Sequence, residues 1–429
     1  MPPALPLRTA SRARWLLVSI YLLFGVMTAS WLARLPTVRD LLRLSTGELG
    51  VLLLVGSLGS LAAVTVSGLV VQRLGNRTTL LVASGVLVVG YTLMGVGPAV
   101  RSGMLLAVGI LLNGVAVSLA NVTFNVESAR IERAMGRTVI PNFHAAFSLG
   151  AMAGAGLSAL ASRAGVPLVV QMPAVVAVAV GCRLAALPGA LLPRTDDEVV
   201  VPAAGAPGRR GFATALDPWR ERRTLLIGVV VLAASLSEGS ANTWLSLAVV
   251  DGFHTVEASG GLMLGVFVGA MTAVRALGTR LIDRFGRVAV LRASGLTSLA
   301  GLLTFGLAPA LPVAAAGVAA WGLGAALAVP IGIAAASDDP RRAAGRVAAV
   351  SVFSSVASIA APPLLGLAAE SMGTRHALLL VTAAMVASVS VAGQVRRSTA
   401  ASGRATLSSE PASAGAGELV TTSATSELR

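Results

Sequence analysis

The chain has 429 residues, 55% hydrophobic and 12% charged, against roughly 25% charged in a soluble domain, which excludes an ordinary water-facing surface. Its net charge is +14, its mean hydropathy +0.81, and all 33 basic residues are arginines in short clusters between apolar blocks; clusters so placed face lipid headgroups and exclude nucleic acid as a partner. The single Cys182 excludes an internal disulfide and any multi-cysteine metal site.

Residues 1–14 read as a basic tail carrying Arg8, Arg12 and Arg14, followed by an apolar run that is retained rather than cleaved. Twelve runs have spanning length: 15–35, 47–72, 78–97, 103–126, 142–162, 167–191, 224–250, 259–279, 288–308, 311–336, 347–369 and 376–395. A span needs about 20 residues at a rise of 1.5 Å, and lipid obliges each run to be helical. The expectation is an all-α membrane protein with a six-helix half over 15–192, a Pro/Gly/Arg linker over 193–223, a second six-helix half over 224–395 and a disordered cytoplasmic tail over 396–429. With the N-terminus inside, the loop arginines fall mostly on the cytoplasmic side; Arg34, Arg39, Arg43, Arg101, Arg163 and Arg375 lie outside. The positive-inside rule therefore places both termini in the cytoplasm, with a bacterial cell (inner) membrane as the location.

Arg34 ends the first run beside Trp31 and Pro36, to guard an outer vestibule or to anchor at headgroups; Trp31 and Trp244, each followed by leucine, read as interfacial anchors. Ser45-Thr46-Gly47-Glu48 has the spacing of a capping box opening the second helix. The fourth run carries Ser118, Asn121 and Asn125 on one face, for solute contact or interhelical bonding. Asn113 reads as packing, and Glu127 with Arg130 as a surface pair. His144, near the inner end of the fifth run, is able to carry a proton or to serve structurally. The glycines of Gly150-Ala-Met-Ala-Gly154-Ala-Gly156 suit close helix packing, and Arg183 suits snorkelling. Asp217-Pro218-Trp219 reads as an N-cap, a first-turn proline and an interfacial tryptophan. Glu238 is the acid placed near mid-depth, with Ser235 and Asn242 on its helical face; a charge there costs about 2.5–3.5 kcal/mol, which marks it for proton coupling, substrate binding or a bond inside the bundle. Arg275 pairs with an acid, binds an anionic group or snorkels, and Trp321 stacks on a solute or fills the core.

An internal repeat divides the chain. Arg73-Leu74-Gly75 matches Arg284-Phe285-Gly286 at a shift of 211, and residues 128–137 match 337–346 at a shift of 209. The first loop reads Gly68-Leu-Val-Val-Gln72-Arg73-Leu-Gly75-Asn76-Arg77, the second Thr279-Arg-Leu-Ile-Asp283-Arg284-Phe-Gly286-Arg287. Two six-helix halves with these loops resemble the major facilitator superfamily, whose signature there is a glycine, three residues, an acid, Arg, any residue, Gly and a basic residue. Gln72 replaces the acid and Thr279 the leading glycine. Gly59-Ser60-Leu61, Asn142-Phe143-His144, Glu238-Gly239 and Pro362-Pro363 resemble a bacterial branch near the fucose-type sugar permeases, although Thr243 stands where that branch often has an acid.

The resemblance implies a monomeric secondary transporter of a small polar solute, with sugars as candidates, working by alternating access with protons and membrane lipid as its further partners and no cofactor. Glu238 and His144 are the expected proton-coupling residues; Asn121, Asn125, Asn242, Trp321, Arg34 and Arg275 the solute-binding candidates; Arg73, Gly75, Arg77, Asp283, Arg284, Gly286 and Arg287 the gate loops. The alternatives are a drug or metabolite efflux antiporter, against which Ala155 stands where drug antiporters carry proline, and a transporter-like sensor or scaffold. The sequence holds no HExxH, Walker or GxSxG motif, so no enzyme is expected.

Overall fold

Continuous apolar runs in lipid have only their own backbone to bond with, and the chain resolves them into helices. The computed structural model describes residues 7–137, 139–192, 217–339 and 342–396, all of them helix, turn or loop. Most of the linker over 193–223 and the tail beyond 396 lie outside the described residues. Among the described residues, twelve helices are long and apolar enough to cross a membrane: α1 Leu7–Leu42, α2 Thr46–Val71, α3 Arg73–Ala99, α4 Gly103–Met135, α5 Asn142–Arg163, α6 Leu168–Ala190, α7 Arg222–Phe253, α8 Glu257–Phe285, α9 Arg287–Leu307, α10 Leu311–Ala336, α11 Gly345–Met372 and α12 Thr374–Val395.

Boundaries differ from the expected ones where polar residues continue a helix. The first is already helical at Leu7, the first described residue, because arginine is a good helix former and Arg8, Arg12 and Arg14 extend the turns ahead of the apolar run. It breaks ahead of Pro36, so α1 comprises helices Leu7–Leu32 and Leu35–Leu42. Residues 217–220 are helical and separate from α7, which Glu221, not Asp217, precedes. The capping box is present: the Glu48 amide donates to Ser45 Oγ at 3.1 Å and the Ser45 amide to Glu48 Oε2 at 2.8 Å.

The repeat is visible in the backbone. Gly75, which kinks the chain two residues into the range given for α3, adopts φ 76°, ψ 164°, and Gly286 between α8 and α9 adopts φ 79°, ψ 157°, a region open essentially to glycine alone, so the two junctions turn in the same way. The shift of 211 reappears in side chains. Asn76 at the start of α3 donates to Glu127 on α4, and Arg287 at the start of α9 donates to Asp338, just past α10, at 2.7 Å. Arg130 joins Glu127 at 2.7 Å and Arg223 joins Asp338 at 2.9 Å. Glu127 is 0% exposed, so its pair with Arg130 lies inside the bundle and not on the surface, because Asn76 and the amide of Leu192 also close on the carboxylate. Just outside α7, Arg346, Thr224 and Arg342 hold the Glu221 carboxyl down at about 2. Its contribution to stability is present above the ordinary carboxyl pKa and disappears only as pH falls through about 2.

Small residues set the helix spacing. In the first half α1 crosses α5 so closely that a Cβ at Gly25, Gly150 or Gly154 would meet the carbonyl oxygen of Phe147, Leu22 or Val26 respectively. Gly156 meets nothing and takes no part. Between the halves α5 packs along α8, with Gly261 against Ala159 and Ala155, and α2 along α11, with Gly50 against Pro362 and Gly366 against Thr46. These seams use the C-terminal part of α5 and α11 and the N-terminal part of α8 and α2. They lie at the end of the bundle away from Leu7 and Val395, called the far end below; the other is the terminal end. Among the described residues, the polar contacts joining the halves lie there, Arg34, Thr37 and Ser162 to Glu257, Arg39 to Asp251 and Gly47 to Glu370, or about midway along the bundle, Ser57 to Ser358. Among the described residues the halves are therefore joined at the far end, with no polar contact between them at the terminal end.

Candidate functional site

Two helices of the second half carry opposite charges into the space between the halves. Glu238 stands midway along α7, and Arg275 on α8 donates through Nη2 to Glu238 Oε2 at 2.9 Å. Arg275 Nε also donates to the Ala326 carbonyl at 3.2 Å. That carbonyl is free because α10 is interrupted there, between Leu311–Ala325 and Ala328–Ala336. The two side chains remain 26% and 32% exposed. They open on a cavity between the halves that communicates with solvent. Its first-half wall is Thr28, Ala29, Leu32, Phe147, Ser148 and Ala151; its second-half wall is Glu238, Asn242, Leu264, Val268, Met271 and Arg275.

The expected site residues divide between several places. Asn242 lines the cavity beside Glu238. Asn121 and Asn125 are exposed on α4 and bonded to each other at 3.1 Å, while the Tyr21 hydroxyl reaches Asn125 Oδ1 at 3.5 Å. His144 is exposed on α5, its ring 6.0 Å from that of Tyr21 and within electrostatic reach of Arg275. Ser118 instead bonds Ser60 across the α2–α4 contact at 2.6 Å. Trp321 is fully buried; its Nε1 donates to Ser237 Oγ at 2.8 Å and its ring packs on Phe267 and Phe305, away from the cavity lining.

The far end holds Arg34. Its Nε lies 3.1 Å from Glu257 Oε2, an ion pair without hydrogen-bond alignment, while Nη1 donates to Gln171 at 2.9 Å and Nη2 to the Val166 carbonyl at 3.1 Å. Glu257 also accepts from the Thr37 amide at 2.9 Å and from Ser162 Oγ at 2.5 Å. One carboxylate of the second half thus gathers three groups of the first. At the terminal end Arg73, Arg77, Asp283 and Arg284 are exposed, whereas Arg287 is engaged by Asp338.

Three residues sit deeper than their expected headgroup positions. Arg183 is 2% exposed and does not snorkel: Nη1 donates to Ser84 at 3.2 Å and its guanidinium lies 5.3 Å from the Phe124 ring centroid. Trp31 and Trp244 are buried in the core and are not interfacial anchors, because neighbouring helices cover them. Sequence reasoning missed Glu257, Asp251 and Thr28. Glu257 was visible as an acid in the first turn of a helix, a place the helix dipole alone explains; its partner 223 residues earlier gave no signal.

A family profile described as Major Facilitator Superfamily matches residues 142–350 and 227–420. The uncharacterized transporter y4wD of Sinorhizobium fredii is 30% identical over 362 residues, covering 84% of this chain and 92% of its own. The chain belongs to the major facilitator superfamily. Among solved structures, the nucleoside transporter NupG superposes with a TM-score of 0.66 at 14% identity, covering 90% of this chain and 98% of its own. FucP, in its outward conformation, superposes with a TM-score of 0.63 at 14% identity, covering 90% and 99%. At such identities the likeness is one of fold. As a member of the major facilitator superfamily, the protein is a multi-pass membrane transporter acting on a small molecule, and not an enzyme.

Proposed function

We propose that this superfamily member is a monomeric secondary active transporter of a small polar solute, coupled to protons through Glu238, and that its cavity is seen open to the cytoplasm. The ion pair of Glu238 and Arg275 on the cavity wall carries the reading. A carboxylate in the low-dielectric midsection is stable when paired, and protonating it changes both its own charge and the freedom of its partner. His144, in reach of Arg275, offers a route for the proton from the terminal end, and Asn242 and Arg275 are placed to touch solute. Two neighbours of the fold bear names that concern polar solutes, the nucleoside transporter NupG and the fucose:proton symporter FucP; a sugar is one solute of that kind.

In this reading the arginine distribution sets both termini in the cytoplasm of a bacterial cell, with lipid around the apolar faces. Single cysteines at Ala204 and Ala416, in protein with Cys182 replaced, should react with an impermeant thiol reagent only after cells are permeabilised. Labelling of intact cells reverses the orientation. The exposed gate-loop residues Arg73, Arg77, Asp283 and Arg284 supply contacts that close the terminal end in the opposite state.

The coupling role is tested in proteoliposomes across a solute panel, with and without a pH gradient. Glu238→Gln keeps the size of the side chain and removes its charge. The variant should lose accumulation against a gradient while exchange without net proton movement continues. Accumulation equal to that of the parent makes Glu238 a structural partner and moves the proton site elsewhere.

A further inference from the structure

The guanidinium of Arg275 is held as an open fork. Its Nε is fixed by the Ala326 carbonyl and its Nη2 by Glu238, while Nη1 makes no hydrogen bond among the described residues. A guanidinium binds a carboxylate through two parallel bonds at either its Nε–Nη2 or its Nη1–Nη2 edge; here Nε is taken by Ala326, which leaves the second edge, and a third of the side chain is exposed. In this state Glu238 occupies half of that edge. The first-half wall across the cavity offers hydroxyls at Thr28 and Ser148 and apolar groups at Leu32 and Phe147, with no charge of its own.

Few groups compete for this fork. On α7 the other titratable groups, Arg222, Arg223 and Asp251, sit at the two ends of the helix. On α8 Glu257 lies at the far end, while Arg280, Asp283 and Arg284 lie at the terminal end. Of the helices packed on these two, α10 carries no titratable residue, α9 carries Arg287 and Arg292 in its first two turns at the terminal end, and α11 and α12 carry theirs near their ends. On α1 Tyr21 turns to Asn125 and Ser128, the α1 arginines lie near the two ends, and α5 contributes His144.

We infer that the solute carries one carboxylate or equivalent single anionic group, which takes the place of Glu238 on Arg275 when Glu238 is protonated. The inference rests on the proton-coupled reading above and names the chemical class of the solute. The balance is simple: one proton goes to a Glu238 oxygen, one anion goes to the Nη1–Nη2 edge, and the net charge of the site is unchanged. One proton then travels with each monoanion, and transport carries no net charge.

Matched probes test it: glucuronate against glucose and lactate against glycerol, binding to purified full-length protein in nanodiscs, followed by thermal shift and calorimetry. The carboxylates should bind more tightly at mildly acid pH and weaken by about tenfold per pH unit on the alkaline side, as expected for one linked proton. Glu238→Gln should bind the same carboxylates with no pH dependence, and Arg275→Gln should lose carboxylate binding by a hundredfold or more. Proteoliposome uptake of the bound carboxylate should follow a pH gradient and ignore an imposed membrane potential.

A neutral probe that binds as tightly as its acid partner overturns the inference, as does the absence of any carboxylate-specific shift in both parent and Glu238→Gln. Those results leave proton-coupled transport standing if Glu238→Gln still loses accumulation of a neutral solute. If instead carboxylates bind through Arg275 with no pH linkage in the parent, the proton-linked exchange is overturned together with the coupling role.

Discussion

Glu257→Gln is expected to tip the transporter out of the state described here and to open its far end. The carboxylate collects Arg34, the Thr37 amide and Ser162 from the first half, and the Arg34 side chain is 5% exposed. Removing the negative charge leaves a buried guanidinium without its counter-ion, a loss of about 3–5 kcal/mol in comparable buried pairs. The state in which the halves part at the far end makes none of these contacts, so the loss falls on one side of the equilibrium alone. A shift of about a hundredfold follows from the lower part of that range. A cysteine at Leu264 in Cys182-free protein, deep in the cavity, reads it out by reaction with an impermeant reagent from the far side. Glu257→Gln should raise that rate at least tenfold and depress transport. Arg34→Gln should act in the same direction, and the double variant should change less than the sum of the two. An unaltered labelling rate removes Glu257 from the closure.

Gly150→Val should prevent assembly of the first half. A Cβ at that position falls on the Leu22 carbonyl oxygen. The obstacle is backbone on a neighbouring helix, which has no rotamer by which to retreat, so α1 and α5 must separate. Separation also loosens the contacts at Gly25 and Gly154 in the same crossing. Overpacking of a core costs about 1–3 kcal/mol where side chains can adjust, and more where they cannot. We expect the monodisperse fraction after detergent extraction to fall at least tenfold. Gly156→Ala on the same helix, with nothing within 4 Å, should extract like the parent. Equal losses from both would mean that helix 5 is sensitive for reasons other than this crossing.

The spans were legible because lipid imposes one requirement on every segment, about 20 apolar residues with their backbone bonded internally. The Ser45–Glu48 cap and the Gly75 and Gly286 turns were legible because each rests on local geometry. Depth inside the bundle was not, because it depends on which helix lies alongside. Arg183 reads as an end-of-helix arginine until Ser84 and Phe124 close over it, and Trp31 and Trp244 read as anchors until other helices cover them. The acid at 238 and the base at 275 were both visible, with pairing as one of several open readings for Arg275. Their meeting depends on the crossing of α7 with α8 and on the free carbonyl at Ala326. The bond from Arg34 to Glu257 joins the two halves and could be read from neither alone.

The duplicated framework has a consequence for how a solute would lie. The Trp31-Leu32 and Trp244-Leu245 pairs are 213 positions apart, and the Gly75 and Gly286 turns are 211 apart. Carried back by these shifts, Glu238 falls on Gly25 and Arg275 on Val64. The charged pair has no twin: where the second half puts a carboxylate, the first puts a glycine that lets α1 and α5 touch. The two walls of the cavity are thus alike in backbone and unlike in polarity, and a molecule between them experiences a field from one side only. On the function proposed above, such a site would sort molecules by the direction of their dipole as well as by its size, and would hold each with its polar end toward the second half.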